Sequence, residues 1–153
     1  MKILLAVDGS TFSQAAAESV AKRPLPANSE IKIVTVIEPF QPYMTEVWAM
    51  PAEYWDDLNK AAKTLAEDNL NKAMNAFQAS ENKSPLVTTE AIMGNPKGAI
   101  VDEAERWGAD LIVVGSHGYT GFKRMLLGSV SQAVASHAPC SVEIVRSPGV
   151  KQE

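Results

Sequence analysis

The chain has 153 residues, 46% of them apolar and 21% charged, which fits one globular domain with a sizeable core. Its formal net charge of −4 argues against a general binder of nucleic acid or of anionic membranes, because both partners reward clustered lysine and arginine, but it permits a local anion pocket. Cys140 is the one cysteine, so an intrachain disulfide is excluded.

The first element is predicted from the apolar run Ile3–Val7, which Asp8, Gly9 and Ser10 close. A continuous run of this kind is typical of a strand buried on both faces. It is too short for the apolar region of a signal peptide and for a membrane helix, which needs roughly 20 such residues. We therefore expect a cytoplasmic protein that has no membrane partner.

Strands and helices are predicted to alternate along the rest of the chain. Short apolar or β-branched runs mark the strands, and longer segments bounded by capping residues or proline mark the helices. Asn95 and Ser129 are expected to cap the third and fourth helices. The helices are predicted over residues 10–22, 53–80, 96–107 and 129–137, and the later strands over residues 31–37, 86–93, 111–114 and 142–145. In the second helix, the residues expected to face the core are Leu58, Ala62, Leu65, Ala73 and Phe77.

Five strands separated by four helical segments predict a parallel sheet with right-handed crossovers. The first and fourth strands are continuously apolar and belong in the centre, whereas the third has the most polar interior and belongs at an edge. The order 3-2-1-4-5 satisfies both conditions. The predicted fold is therefore α/β: a single-domain, five-stranded parallel sheet, Rossmann-like, with helices on both faces. The domain is predicted over residues 1–147 and a short C-terminal tail over 148–153.

The topological switch of this sheet lies at the carboxyl ends of the first and fourth strands, where ligands of such folds bind. The end of the fourth strand continues into a stretch, residues 115–129, with four glycines, and in it Lys123 and Arg124 are adjacent cations and Ser129 begins a helix. Glycine permits a positive φ and a close backbone approach, successive N–H groups form an anion site, and a helix N-terminus attracts anions. A polyphosphate is the ligand that fits all of these features.

Neither of the standard phosphate-binding motifs is present. The sequence contains no GxxxxGK(S/T), and Gly115, Gly118 and Gly121 are spaced GxxGxxG after the fourth strand, unlike the dinucleotide fingerprint GxGxxG. As a spacing pattern alone, such a turn is as often structural as functional. The full arrangement across residues 115–129 is more specific.

That arrangement resembles the ATP-binding branch of the universal stress protein family, whose signature is G-x2-G-x9-G-(S/T). Gly115, Gly118, Gly128 and Ser129 match it at every position. The resemblance covers nearly the whole chain, including the opening ILLAVDGS, the block GNPKGAIVDEAERWGADLIVVGSHG and the closing GSVSQAVASHAPCSVEIVR. It implies the 3-2-1-4-5 sheet and ATP, ADP or AMP bound across the switch, with any Mg²⁺ or Mn²⁺ held through the phosphates.

The resemblance also implies roles for individual residues. It places Asp8 and the backbone of Val36 near adenine and ribose, and the glycine signature around the phosphates. A carboxylate accepts hydrogen bonds from a nucleoside but repels phosphate, which agrees with that placement of Asp8; its alternative role is to cap the first helix. The candidate nucleotide-binding residues are Ala6, Val7, Asp8, Val36, Gly94, Gly115, Ser116, His117, Gly118, Lys123, Gly128, Ser129 and Val130.

Three further features have open interpretations. His117 either contacts phosphate or is a loop histidine without a role. Cys140 is expected to be a small buried apolar residue and not a nucleophile, and no zinc site is expected because carboxylates and cysteines do not cluster near the histidines. The aromatic loop at residues 39–55 is expected to pack against the second helix or a partner subunit, with a lid over the nucleotide as the alternative.

Three functions remain open from the sequence. The first is an ATP-binding regulatory module, a homodimer through its last strand that acts on protein partners the sequence does not identify. The second is an enzyme, a slow ATPase or nucleotidyl transferase, although no residue is assigned as catalytic. The third is a structural partner protein that binds no ligand.

Overall fold

The computed structural model describes residues 1–39, 51–81, 85–118 and 127–147. The central part of the predicted aromatic loop and the predicted C-terminal tail lie outside these residues. Within them, strands and helices alternate as expected. In chain order they are β1 (Lys2–Ala6), α1 (Thr11–Ala21), β2 (Glu30–Ile37), α2 (Ala52–Ala79), β3 (Leu86–Met93), α3 (Pro96–Trp107), β4 (Leu111–Gly115), α4 (Ser129–His137) and β5 (Ser141–Val145).

The five strands form one parallel sheet in the order β3-β2-β1-β4-β5, which confirms the predicted α/β fold and its strand order. The register aligns the last residues of the central strands, because Ala6 pairs with both Val34 and Val114. The apolar side chains of β1 and β4 are buried from both sides, as expected for the centre of a parallel sheet. Their carboxyl ends therefore lie side by side at one end of the molecule.

The sheet separates two hydrophobic cores. On one face α1 and α2 cover Ile3 and Leu5 of β1, and on the other face α3 and α4 cover Leu4 and Ala6. The alternation of these four residues follows from the two-residue period of a strand. The sheet thus supports helices on both faces.

The prediction for the buried face of α2 is wrong at Leu65, which is 60% exposed. Ala73 and Phe77 are buried as predicted, but near Leu65 it is the next residue, Ala66, that faces the core. The helix packs against α1 as well as against the sheet, and its periodicity alone does not define that second contact. The described side chains of α2 that are buried are Ala66, Asn69, Leu70, Ala73 and Phe77. None of the described helices has the length and hydropathy of a membrane span.

Ion pairs connect the helical layers to strands on both faces of the sheet. Arg23, just after α1, donates two hydrogen bonds to Glu143 of β5, at 2.8 and 2.5 Å, and these bonds lower the pKa of the Glu143 carboxyl. On the other face, Lys32 of β2 donates to Glu103 of α3 at 2.6 Å. Burial tends to raise the pKa of Glu103, but its hydrogen bonds with Lys32 and Arg106 outweigh burial and the pKa is lowered. Both carboxylates are thereby held in the charged form.

Candidate functional site

The carboxyl ends of β1 and β4 enclose a narrow cleft of about 80 Å³ at the topological switch, and we call this space the switch cleft. It brings together seven of the residues singled out in the sequence. They are Ala6, Val7, Asp8, Val36, Gly115, His117 and Gly118. The separation of these residues along the chain is large, so only the 3-2-1-4-5 order makes them neighbours.

The turn after β1 is defined by side-chain hydrogen bonds and by one glycine. Gly9 has a φ of 80°, a conformation that glycine adopts readily. The Oδ1 atom of Asp8 accepts from the backbone N–H of Ser10 at 3.0 Å. The hydroxyl of Ser10 accepts from the N–H of Ser13 at 3.1 Å, so the cap of α1 is Ser10 and not Asp8. This arrangement presents the carboxylate of Asp8 at the wall of the switch cleft.

The turn after β4 uses glycine for space. A Cβ on Gly115 would lie 2.7 Å from the carbonyl carbon of Phe12 and 2.8 Å from the backbone nitrogen of Ser13. A Cβ on Gly118 would lie 3.0 Å from Oδ2 of Asp8. Among the described residues, neither glycine has the positive φ that the sequence suggested for this turn. The reason for glycine here is that the ends of β4 and β1–α1 approach too closely for a side chain.

The start of α4 completes the site next to this turn. The N–H of Gly128 donates to the carbonyl of Ser116 at 2.8 Å, and the hydroxyl of Ser131 donates to the carbonyl of Gly115 at 2.7 Å. The predicted capping role of Ser129 is wrong, because Ser129 is the first helical residue and the N-cap position is occupied by Gly128, which has no side chain. The first turn of α4 therefore has no side-chain cap, and the helix begins next to the glycine turn, to which Gly128 is hydrogen-bonded.

Comparison with known proteins identifies the family of this chain. The model of the Universal stress protein family matches residues 1–146 of the chain. The chain belongs to this family. Universal stress protein MJ0531 of Methanocaldococcus jannaschii is 32% identical over 148 residues, which are 96% of this chain and 82% of that protein.

Solved structures of universal stress proteins share the fold. The UspA protein from Lactobacillus plantarum superposes with a TM-score of 0.78 and 27% identity, over 95% of this chain and 97% of that one. A universal stress protein in complex with cAMP superposes with a TM-score of 0.69 and 25% identity, over 97% of this chain and 98% of that one. Both similarities therefore cover nearly the whole chain.

His117 lies inside the glycine turn of this universal stress protein and lines the switch cleft. Its ring stacks at a tilt on Phe12, with the ring centroids 5.1 Å apart, and its Nδ1 atom lies 3.2 Å from the hydroxyl of Ser116. Ser116 is itself buried, and its backbone N–H donates to the carbonyl of Val145 in β5. The imidazole is therefore held half-buried at the edge of the cleft rather than extended into solvent.

The remaining predicted site residues lie at the margin of the switch cleft or outside the described part of the chain. Ser129 and Val130 form the first turn of α4. Gly94 lies at the end of β3 and lines a second cleft, of about 610 Å³, at the ends of β2 and β3. Asn95 lines this second cleft, and the next residue, Pro96, lines the switch cleft. Lys123 lies outside the described residues, so its predicted role stays a prediction.

Five residues that line the switch cleft were not predicted from the sequence. Ser13 had a recognisable signal, because it lies two residues after a helix start and its hydroxyl donates to the backbone carbonyl of Ser10. Ser131 had none, because its hydroxyl donates to Gly115, 16 residues away on another element. The other three are apolar or cyclic residues that the sequence does not distinguish from the core. They are Val34, Pro96 and Ile100.

Two other features do not mark a site. In the described part of the chain, no group of three or more histidines, cysteines and carboxylates is placed to hold a metal ion. A wider groove of about 970 Å³ runs between α1 and α2, but its lining residues, such as Gln14, Lys22 and Asn75, belong to helix surfaces and not to strand ends. Topology and chemistry, rather than size, therefore make the switch cleft the candidate site. Cys140 packs beside the second core only half-buried, and burial raises the pKa of its thiol.

Proposed function

We propose that this protein binds an adenine nucleotide, ATP or its products ADP and AMP, across the switch cleft and acts as a homodimeric nucleotide-dependent sensor or adaptor in a stress response. The observation that carries the proposal is the convergence of a carboxylate, a glycine turn and a helix start without a side-chain cap around one cleft. The cAMP complex of a related universal stress protein adds support, because cAMP is an adenine nucleotide.

The electrostatics of the cleft suggest an orientation for the nucleotide. Backbone N–H groups of the glycine turn and of the α4 start attract phosphate, whereas the carboxylate of Asp8 repels it. The phosphates would therefore lie by Gly115, Gly118, Gly128 and the α4 start, with Lys123 adding charge from the loop. The nucleoside would lie by Asp8 and Val36, where the carboxylate accepts hydrogen bonds from hydroxyl or amino groups.

The size of the switch cleft places a condition on binding. About 80 Å³ is less than the roughly 300–1,000 Å³ typical of ligand pockets. Oδ2 of Asp8 and Gly118 face each other closely across it, so we infer that the two turns separate when the nucleotide enters. The adjoining cleft near Gly94 offers about 610 Å³ for the base without movement of the sheet. Any Mg²⁺ or Mn²⁺ would be held mainly by the phosphates and by water.

The direct test is to denature freshly purified protein and identify the released small molecules by mass spectrometry. We expect an adenine nucleotide in a fixed ratio to the protein. Native protein from which the bound nucleotide has been removed should bind ATP again in a calorimetric titration. If no nucleotide is released and none binds at millimolar concentration, the protein is a structural partner without a ligand and the proposal is wrong.

We expect slow turnover of bound ATP. Rapid phosphoryl transfer needs a positioned nucleophile, a metal and stabilised charge on the γ-phosphate, and of these the site offers mainly the charge. Phosphate release at saturating ATP and Mg²⁺ should lie well below the ~10 s⁻¹ median of enzymes. Gly118→Val serves as the control for contaminating activity. Fast release that both Gly118→Val and His117→Ala abolish would favour an enzyme with His117 as its base.

We also propose that the dimer forms through β5, an edge of the sheet, because exposed edge strands are usually paired or protected. Ile144→Pro should give monomers or insoluble protein in sedimentation experiments. The matched control is Ile92→Pro on β3, the opposite edge, since both isoleucines pack against the same core from an edge strand. A monomeric mass of the unmodified protein at micromolar concentration would contradict a dimer altogether.

A further inference from the structure

Asn69 is a polar residue on the buried side of α2. It is 7% exposed, and its buried neighbours along the helix are Ala66, Leu70 and Ala73. Burial of an amide among apolar groups is unfavourable compared with burial of a hydrocarbon side chain of the same size. The position of this amide in the fold suggests why an asparagine is placed there.

The amide of Asn69 packs directly on Gly9. A Cβ built on Gly9 would lie 2.2 Å from Oδ1 of Asn69 and 2.9 Å from its Cγ. The side chain of Asn69 therefore fills the space that a side chain at position 9 would occupy. With a φ of 80°, the backbone of Gly9 is in a conformation that other residues rarely adopt, and the amide covers it from the α2 side.

The turn that Asn69 covers is the one that carries Asp8. The carboxylate of Asp8 accepts from the N–H of Ser10 across Gly9, so the position of Gly9 determines where Asp8 points. The other oxygen of this carboxylate faces Gly118 on the opposite wall of the switch cleft. A displacement of Gly9 would therefore alter the carboxylate at the nucleoside end and leave the α4 start in place.

We propose that Asn69 is a positioning residue of the nucleotide site, whose amide holds the Gly9 turn and thereby fixes the direction of the Asp8 carboxylate. This inference rests on the proposed nucleotide function. Asn69 reaches the site from a helix that is separate from both turns at the switch. The position of α2 is thus linked to recognition of the nucleoside.

The test measures calorimetric affinities for ATP and for adenosine at a temperature well below unfolding. Asn69→Ala should weaken both ligands by about tenfold, the loss expected when a hydrogen bond to a charged group is misaligned. The matched control is Asn71→Ala, an exposed asparagine on the same helix, which should bind both ligands like the unmodified protein. In an Asp8→Asn background, Asn69→Ala should cause little further loss, because its effect passes through Asp8.

A second cycle tests the contact itself. Gly9→Ala should lower the Tm, and adding Asn69→Ala should restore part of that loss, because the clash between the new methyl group and the amide is removed. If Gly9→Ala lowers the Tm equally with asparagine and with alanine at position 69, the contact between Gly9 and Asn69 is contradicted. Additive losses of affinity for Asp8→Asn and Asn69→Ala would overturn the positioning role.

The two proposals fail in different ways. If the unmodified protein binds neither ATP nor adenosine, the proposed function is wrong and this inference fails with it. If the unmodified protein binds both and Asn69→Ala binds them equally well, only the inference is wrong.

Discussion

After β1 the chain turns through Asp8, Gly9 and Ser10 with one positive φ and with side chains that bond to the backbone. After β4, by contrast, it turns through Gly115–Gly118, where glycines provide space and the ring of His117 packs on Phe12. The first turn presents a carboxylate, whereas the second lies beside the start of α4, which has no side-chain cap. Two chemically opposite surfaces thus face each other across a few ångströms. In the function that we propose, this contrast allows one cleft to receive a nucleotide, with its nucleoside at one end and its phosphates at the other.

The largest effect is expected from Gly115→Ala in the second turn. The added methyl group would meet backbone atoms of Phe12 and Ser13 at 2.7 and 2.8 Å, and backbone cannot move aside as a side chain can. We expect a loss of about 3 kcal/mol in the free energy of unfolding, measured with urea. Gly98→Ala is the control, because nothing lies within 4 Å of its added methyl group in α3, and it should be neutral or stabilising. A neutral Gly115→Ala would show that the second turn does not need glycine for space.

Gly9→Ala in the first turn should cost less, about 2 kcal/mol, because the clash is with the flexible side chain of Asn69 and the strain of a left-handed residue is about 1–2 kcal/mol. Gly108→Ala separates the two causes. Gly108 has a similar φ of 71°, but nothing lies within 4 Å of its added methyl group. Gly9→Ala should therefore be the more destabilising of the two by urea denaturation, and equal losses would remove the Asn69 contact from the explanation.

Ser131→Ala tests the side chain that holds the second turn. It removes the donor to the carbonyl of Gly115 and leaves that buried acceptor with one partner fewer, at a cost of about 1–2 kcal/mol. Ser136→Ala, in the same helix, removes a similar bond to Gln132, but an exposed one, and should change stability by less than about 0.5 kcal/mol. Urea midpoints of the two variants give the comparison. Indistinguishable midpoints would mean that the turn is held by its backbone alone.

The smallest effect is expected for the ion pair between Arg23 and Glu143. Arg23 follows α1, the helix after the first turn, and Glu143 lies on β5 beside β4, so the pair connects the surroundings of the two turns. Glu143→Gln should cost about 1 kcal/mol at pH 7, because the pair is partly exposed. The pKa of Glu143 is lowered in the folded state from an ordinary 4.5 by its bonds with Arg23, so the unfolded state binds the proton first as the pH falls.

The stability that Glu143 contributes is therefore complete well above pH 4.5 and is lost as the pH falls through the lowered pKa. In thermal denaturation, the difference in stability between Glu143→Gln and the unmodified protein should shrink as the pH falls below about 4.5. A difference that is constant between pH 7 and pH 4 would contradict the assignment of this carboxylate.

The sequence predicted those parts of the fold that depend on local pattern. The burial of β1 and β4 follows from their continuous apolar runs, and the start of α3 follows from Asn95 and Pro96. The pairing of the two turns at the switch follows in turn from the strand order. These signals lie within a few residues of the elements that they define.

The sequence did not predict one helix cap and two contacts between distant elements correctly. Ser129 was expected to cap α4 because serine is a good capping residue, but the helix begins one residue earlier in the geometry than that role allows. The Asn69 contact with Gly9 joins residues 60 positions apart, and the need of Gly115 for space comes from Phe12 on another element. Neither contact is reflected in a periodic or local pattern of the sequence, so only the structure reveals them.

The most direct test of the central claim is a calorimetric titration of ATP into the unmodified protein and into Gly118→Val. The added side chain would begin 3.0 Å from Oδ2 of Asp8 and occupy the space between the two turns. We predict that the unmodified protein binds ATP and that Gly118→Val, folded by circular dichroism, gives no heat of binding. Equal affinities of the two proteins would place the nucleotide outside the switch cleft and contradict the account.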